Sequence, residues 1–106
     1  MTDTSWHKTW VVPADHPAFA GHFPGNPIVP GVVLLDHALQ LLSTAVNQPA
    51  PHIKLSSAKF LSPVAPGETV SFNLQAKTAA SYQVSITAND RLAAKADFTL
   101  MDLSAT

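Results

Sequence analysis

The stretch Gly21 to Gln40 reads GHFPGNPIVPGVVLLDHALQ. Its first half resists regular structure. Pro24, Pro27 and Pro30 each remove a backbone donor and fix φ. With Pro13 and Pro17, five of the nine prolines fall between residues 13 and 30, so that segment is predicted to be one long loop. Loops this long in a small domain are usually functional or disordered. Phe19, Phe23, Ile28 and Val29 supply apolar anchors that argue against disorder. The second half changes character. Pro30-Gly31 opens a predicted helix that runs to about Asn47. Val32, Val33, Leu34, Leu35, Ala38, Leu39, Leu41 and Leu42 make its first turns apolar almost all round, the mark of a buried helix. Asp36, Gln40, Ser43 or Thr44, and Asn47 recur at helical spacing as one polar stripe. Pro49 and Pro51 are predicted to end it.

Outward from this segment the chain reads as strands. Residues 53 to about 61 contain Ile53, Leu55, Phe60 and Leu61, and Pro63 to Gly67 reads as a turn. Val70, Phe72, Leu74 and Ala76 alternate with polar neighbours, the period-two pattern of a half-buried strand. Tyr82 to Ala88 and Leu92 to Leu100 alternate likewise. Ala79-Ala80 and Asn89-Asp90 stand where hairpin turns belong. Trp6 to Val12 reads as one more strand, with Trp6 and Trp10 packing on the sheet. The expectation is a single α+β domain over residues 1–106, about five antiparallel strands around one long helix.

Composition narrows the function. The 106 residues are 46% hydrophobic and only 12% charged, about half the roughly 25% charge usual for soluble domains. So little charge on so small a chain predicts a partner surface, most simply a second copy. Six bases against seven acids leave no polybasic footprint for nucleic acid. No cysteine means no disulfide, no thiolate nucleophile and no Cys-ligated zinc. His7, His16 and His52 are scattered, and His16 and His22 lack zinc-ligand spacing, so no metal is expected. The start MTDTSWHKTW lacks the pattern of a signal peptide and no apolar run is long enough for a membrane span, so a cytoplasmic protein is expected.

Three residues in the opening stretch carry chemistry. His22 belongs to the side-chain class suited to general-base work near neutrality. Gly31 at the helix start lets a ligand approach backbone N–H groups and the positive end of the dipole, where an oxyanion would be stabilised. Asp36 is an acid set among leucines, costly if buried without a partner. Base, oxyanion donor and acid together point to proton abstraction beside a carbonyl. Each residue also has a plainer reading: a structural or surface histidine, a glycine for the sharp helix entry, an aspartate that begins the polar stripe and faces water.

The whole pattern is more specific than its parts. His22-Phe23-Pro24-Gly25, Pro27, Pro30-Gly31, Asp36 and Gln40 resemble the signature of the FabA/FabZ-type β-hydroxyacyl-acyl-carrier-protein dehydratases. Lys59-Phe60, Pro63-Val64 and Pro66-Gly67-Glu68 resemble a second motif of that family. The resemblance covers about residues 10 to 100 and implies a hot-dog fold, a sheet wrapped around a central helix. Two subunits would pair edge to edge, with active sites at the interface of a homodimer; a heterodimer or higher oligomer stays open. The histidine would come from one subunit and the acid from the other. His22 would take the α-proton of a β-hydroxyacyl thioester borne by acyl carrier protein. The Gly31 N–H, aided by that of Val32, would hold the enolate oxygen. The partner's Asp36 would protonate or orient the departing hydroxyl, and Gln40 would orient Asp36. Phe23 and Pro30 count with the substrate-binding residues. The product is a trans-2-enoyl thioester, formed without metal or organic cofactor, in fatty acid or specialised acyl or polyene synthesis. Lys54, Lys59, Lys77, Arg91 and Lys95 offer charge for an acidic carrier or are simply solvated strand faces.

Some residues depart from the pattern. Most FabZ-type members have glutamate where this chain has Asp36, whereas the FabA type has aspartate. His37 is foreign to the usual motif and either tunes Asp36 or points into the core or interface. The chain is shorter than housekeeping dehydratases, like small FabZ-like proteins of pathways such as aryl polyene synthesis. A hot-dog thioesterase using Asp36 is the alternative, and a non-catalytic acyl-binding or heterodimer subunit is the third.

Overall fold

A computed structural model of the chain describes residues 4–15, 28–49 and 51–101. The elements in order are β1 (Ser5–Val11), α1 (Gly31–Val46), β2 (Ile53–Phe60), β3 (Thr69–Ala76), β4 (Ser81–Ala88) and β5 (Arg91–Leu100). All pairings are antiparallel, and the sheet order is β1-β3-β4-β5-β2. The expected α+β architecture is therefore the observed one. No helix among the described residues is long and apolar enough to cross a membrane.

Period-two alternation determines which face of the sheet meets α1. Val70, Phe72 and Leu74 of β3, Val84 and Ile86 of β4, and Ala94, Ala96 and Phe98 of β5 are buried. They pack in one core with Leu34, Ala38, Leu41 and Leu42 of α1. The helix, apolar almost all round in its first turns, was expected to be buried. Instead it buries that single stripe, and Val32 is 71% exposed. The reason is geometric: a helix on one sheet has a neighbour on only one side, here chiefly β3 and β1. The helix stops where expected, at about Asn47, but for a different reason. Asn47 ends it by adopting the left-handed conformation, φ 56°, before either proline is reached. Its N–H donates to Thr44 O at 3.2 Å and that of Gln48 to Ser43 O at 3.1 Å.

β2 and β1 are the two sheet edges. In β2 the register shifts between Leu55 and Ser57, which resets the alternation. Ile53, Leu55, Ala58 and Phe60 stand opposite Leu100, Phe98, Ala96 and Ala94 of β5 and so share the inner face, although their spacing is uneven. Leu55 and Phe60 nevertheless remain 44% and 53% exposed. Among the described residues no strand pairs with the outer edge of β2, and apolar side chains lie partly uncovered along it.

The Pro63 to Glu68 segment ties the helix entry to the sheet. Gly67 has φ +82°, which favours glycine. The Glu68 carboxylate accepts from Arg91 Nη1 and Nη2 at 2.5 and 2.7 Å, from the Ala65 N–H at 2.7 Å and from Asn89 Nδ2 at 3.1 Å. Arg91 also donates to Ser62 Oγ at 2.7 Å and to Pro63 O at 2.6 Å. Val29 N–H then donates to Val64 O at 2.7 Å, so this knot anchors the residues that lead into α1.

Arg91 holds the Glu68 carboxyl below its ordinary value of 4.5; burial opposes this and the Ala65 N–H assists. A depressed carboxylate stabilises the fold above the unfolded value, and that contribution fades as pH falls through the folded one. The half-exposed Arg91 keeps the effect modest. Glu68→Gln is expected to lower Tm near neutrality, with the two proteins converging as pH drops below 4.5. A Tm gap that is constant across pH would contradict this.

Candidate active site

Two clefts flank α1, both bordered by β2. The first, about 520 Å³, lies at the helix start between Val29, Pro30, Gly31 and Leu34 on one side and Phe60, Leu61 and Val64 on the other. The first N–H groups of a helix lack intrahelical partners. Among the described residues no acceptor meets those of Gly31 or Val32. Pro30 caps the helix without a side-chain hydrogen bond, and the first turn holds no acid. Among the described residues nothing neutralises the positive end of the dipole beside this apolar cleft, which suits a developing negative charge. Glycine at 31 has a packing cause too. A β-carbon there would come within 2.7 Å of the Phe60 ring.

The second cleft, about 370 Å³, is lined by Asp36, Leu39, Gln40, Ser43, Pro49, Pro51 and Ile53. Asp36 is exposed on the polar stripe, so the cost expected of a buried carboxylate does not arise in the single chain. Gln40, one turn later, donates from Nε2 to Asp36 Oδ2 at 3.1 Å. Gln40 Oε1 accepts from Lys8 Nζ at 3.1 Å, and Lys8 donates to His37 Nδ1 at 2.9 Å. The His37 ring lies 4.2 Å from that of Trp10 and 5.5 Å from that of Phe72, centre to centre. His37 therefore faces the sheet, on the side of α1 away from the cleft.

Gly31 and Asp36 are not brought together within one chain. Five residues along a helix turn the side chain by about 140° and advance it about 7.5 Å. His22 and Phe23 lie outside the described residues. Pro30 and Gly31 line the first cleft and Val32 is exposed beside it, while Asp36 and Gln40 line the second. Sequence reasoning passed over Lys8. The signal was present: Trp6, Lys8, Trp10 and Val12 share the inward alternation of β1, and a lysine there interrupts an apolar face.

A five-stranded antiparallel sheet folded over one central helix, with a helix end and a helix carboxylate in separate clefts, is the architecture of a hot-dog protein. The model of the ApeI-like dehydratases matches residues 1–97. The chain belongs to that family, and with it to the FabA/FabZ-type hot-dog dehydratases. The 3-hydroxyacyl-(acyl-carrier-protein) dehydratase FabZ of Fusobacterium nucleatum is 33% identical over 92 residues. That match covers 78% of this chain and 65% of the relative, so the chain spans a little under two thirds of its length. Among solved structures, the dehydratase heterocomplex ApeI:P from Xenorhabdus doucetiae superposes with a TM-score of 0.80 at 21% identity. The match covers 93% of this chain and 88% of that one. An acyl-CoA hydrolase from Staphylococcus aureus shares the fold at a TM-score of 0.64 and 18% identity, over 96% of this chain and 66% of that one.

Proposed function

We propose that the protein removes water from a 3-hydroxyacyl thioester on an acyl carrier protein, giving the trans-2-enoyl thioester, as a dimer with composite active sites in the cytoplasm. One observation carries this reading: the two clefts border opposite ends of the same free edge strand. The Gly31 cleft adjoins Phe60 and the Asp36 cleft adjoins Ile53. Antiparallel pairing of two β2 strands about Ser56 and Ser57 would set Phe60 against the partner's Ile53. The helix end of one subunit would then face the partner's Asp36, and Leu55 and Phe60 would be covered.

In such a site the Gly31 and Val32 N–H groups hold the thioester oxygen as negative charge develops on it. His22 takes the α-proton. The partner's Asp36 orients the β-hydroxyl, whose C–O bond breaks as the new C=C bond forms. Its departure as water requires one proton, the number His22 removes. The first cleft, apolar along Ile28, Leu34 and Leu61, suits an acyl chain. Lys59 stands directly opposite Lys95 across β2 and β5, both exposed. Like charges so placed favour an acidic partner, which supports a carrier protein.

Mass spectrometry of the protein with a panel of 3-hydroxyacyl carrier proteins tests the reading. Loss of one water is expected, and it disappears in His22→Ala. Loss of the whole acyl group would make the protein a thioesterase. An unchanged mass would turn attention to a required second subunit, the arrangement named for the Xenorhabdus heterocomplex.

A further inference from the structure

We propose that Lys8 is a positioning residue for Asp36: its ammonium fixes the side-chain amide of Gln40 so that Gln40 must donate to the Asp36 carboxylate. The inference rests on Asp36 being the carboxylate that orients the β-hydroxyl in the proposed reaction. Lys8 occupies an inward position of β1, between Trp6 and Trp10, with its Cα opposite that of the fully buried Phe72. An ammonium so placed is unfavourable unless it finds acceptors. An inward lysine on an edge strand can serve simply to deter edge pairing. That role does not require what is observed, two acceptors supplied by one helix at positions 37 and 40.

The donor and acceptor inventory makes the arrangement directional. An ammonium carries only donors and a carboxylate only acceptors. The Gln40 amide lies between one of each, so a single orientation satisfies both: Oε1 to Lys8 and Nε2 to Asp36. A flipped amide would set its oxygen against the carboxylate and its NH2 against the ammonium. His37 completes the anchor. Its Nδ1 accepts from Lys8, so the neutral ring carries its hydrogen on Nε2. Contact with Trp10 and Phe72 holds that ring in place. One strand lysine therefore controls the carboxylate through its neighbours on α1. Oδ2 is held by Gln40 and Oδ1 is left to meet substrate. Holding a reacting group in one geometry is worth catalysis because small misplacements are costly.

Lys8→Met keeps the apolar stem and removes the charge. Its kcat is expected to fall by about tenfold or more with KM changed less than about twofold, and Lys8→Arg recovers part of the loss. Gln40→Leu should fall similarly, and adding Lys8→Met to it should change little further. Effects that multiply instead would mean that Lys8 does not act through Gln40, and the proposal fails. A second readout needs no activity. The 15N resonances of the Gln40 side-chain amide should move toward those of a free amide in Lys8→Met and return in Lys8→Arg. Unchanged resonances would also overturn the proposal. If the amide responds but Asp36→Asn retains full activity, the clamp exists and the failure lies in the role given to Asp36.

Discussion

Asp36→Asn is expected to slow dehydration of a 3-hydroxyacyl thioester by about a hundredfold, the loss that follows when a reacting group is no longer held in place. Asparagine matches aspartate in shape but puts a neutral amide in place of the carboxylate that orients the departing hydroxyl. The substitution should leave the fold alone. Asp36 is exposed in the single chain, and an asparagine oxygen can still accept from Gln40 Nε2. Exposed replacements of this kind change stability by no more than about 0.5 kcal/mol. The loss should therefore appear in kcat and in kcat/KM together, with Tm and dimer mass unchanged. Steady-state rates from the absorbance of the enoyl product would measure it. Retention of more than about a tenth of the rate would remove Asp36 from the role of orienting the hydroxyl.

The candidate residues Gly31, Asp36 and Gln40 could be picked out in the sequence because they are local. The Pro-rich approach, the glycine at the helix start and the acid five residues later all lie within a single stretch. Strict alternation revealed the strands wherever one face is buried, as in β3 and β4. β2 was harder because its register shift breaks the period and most of its residues are exposed. The helix end near Asn47 was legible, but its cause was assigned to two prolines because a left-handed asparagine leaves a weaker trace. Lys8 was hidden for a different reason. Its partners lie 29 and 32 residues away, and no local pattern joins a strand lysine to a helix glutamine. The separation of Gly31 from Asp36 is likewise a property of helix geometry, visible only once the clefts on either side of α1 are known.

That separation leads to the second large effect. If each site joins His22 and the Gly31 helix end of one subunit to the partner's Asp36, two dead proteins should make a live one. His22→Ala and Asp36→Asn alone are each expected to be nearly inactive. After unfolding and refolding together in equal amounts, random pairing makes about half of the dimers mixed. A mixed dimer contains one site with both substitutions and one with neither. Half of the dimers with half of their sites intact predicts about a quarter of the wild-type rate. Were histidine and acid drawn from the same chain, every site would carry one lesion and mixing would restore nothing. The β2 edge supplies an independent control. Ala58→Pro removes a backbone donor that faces the outer edge, since Leu61 N–H donates to Ala93 O and the bonds to β5 therefore fall at alternate residues, 57, 59 and 61. If β2 joins the subunits, that chain should yield neither dimer nor complementation when mixed with either mutant. Recovery of a quarter of the rate by the pair, together with its loss when the edge is blocked, would tie the chemistry to the seam between two copies. Recovery that survives the blocked edge would place the shared site at another surface.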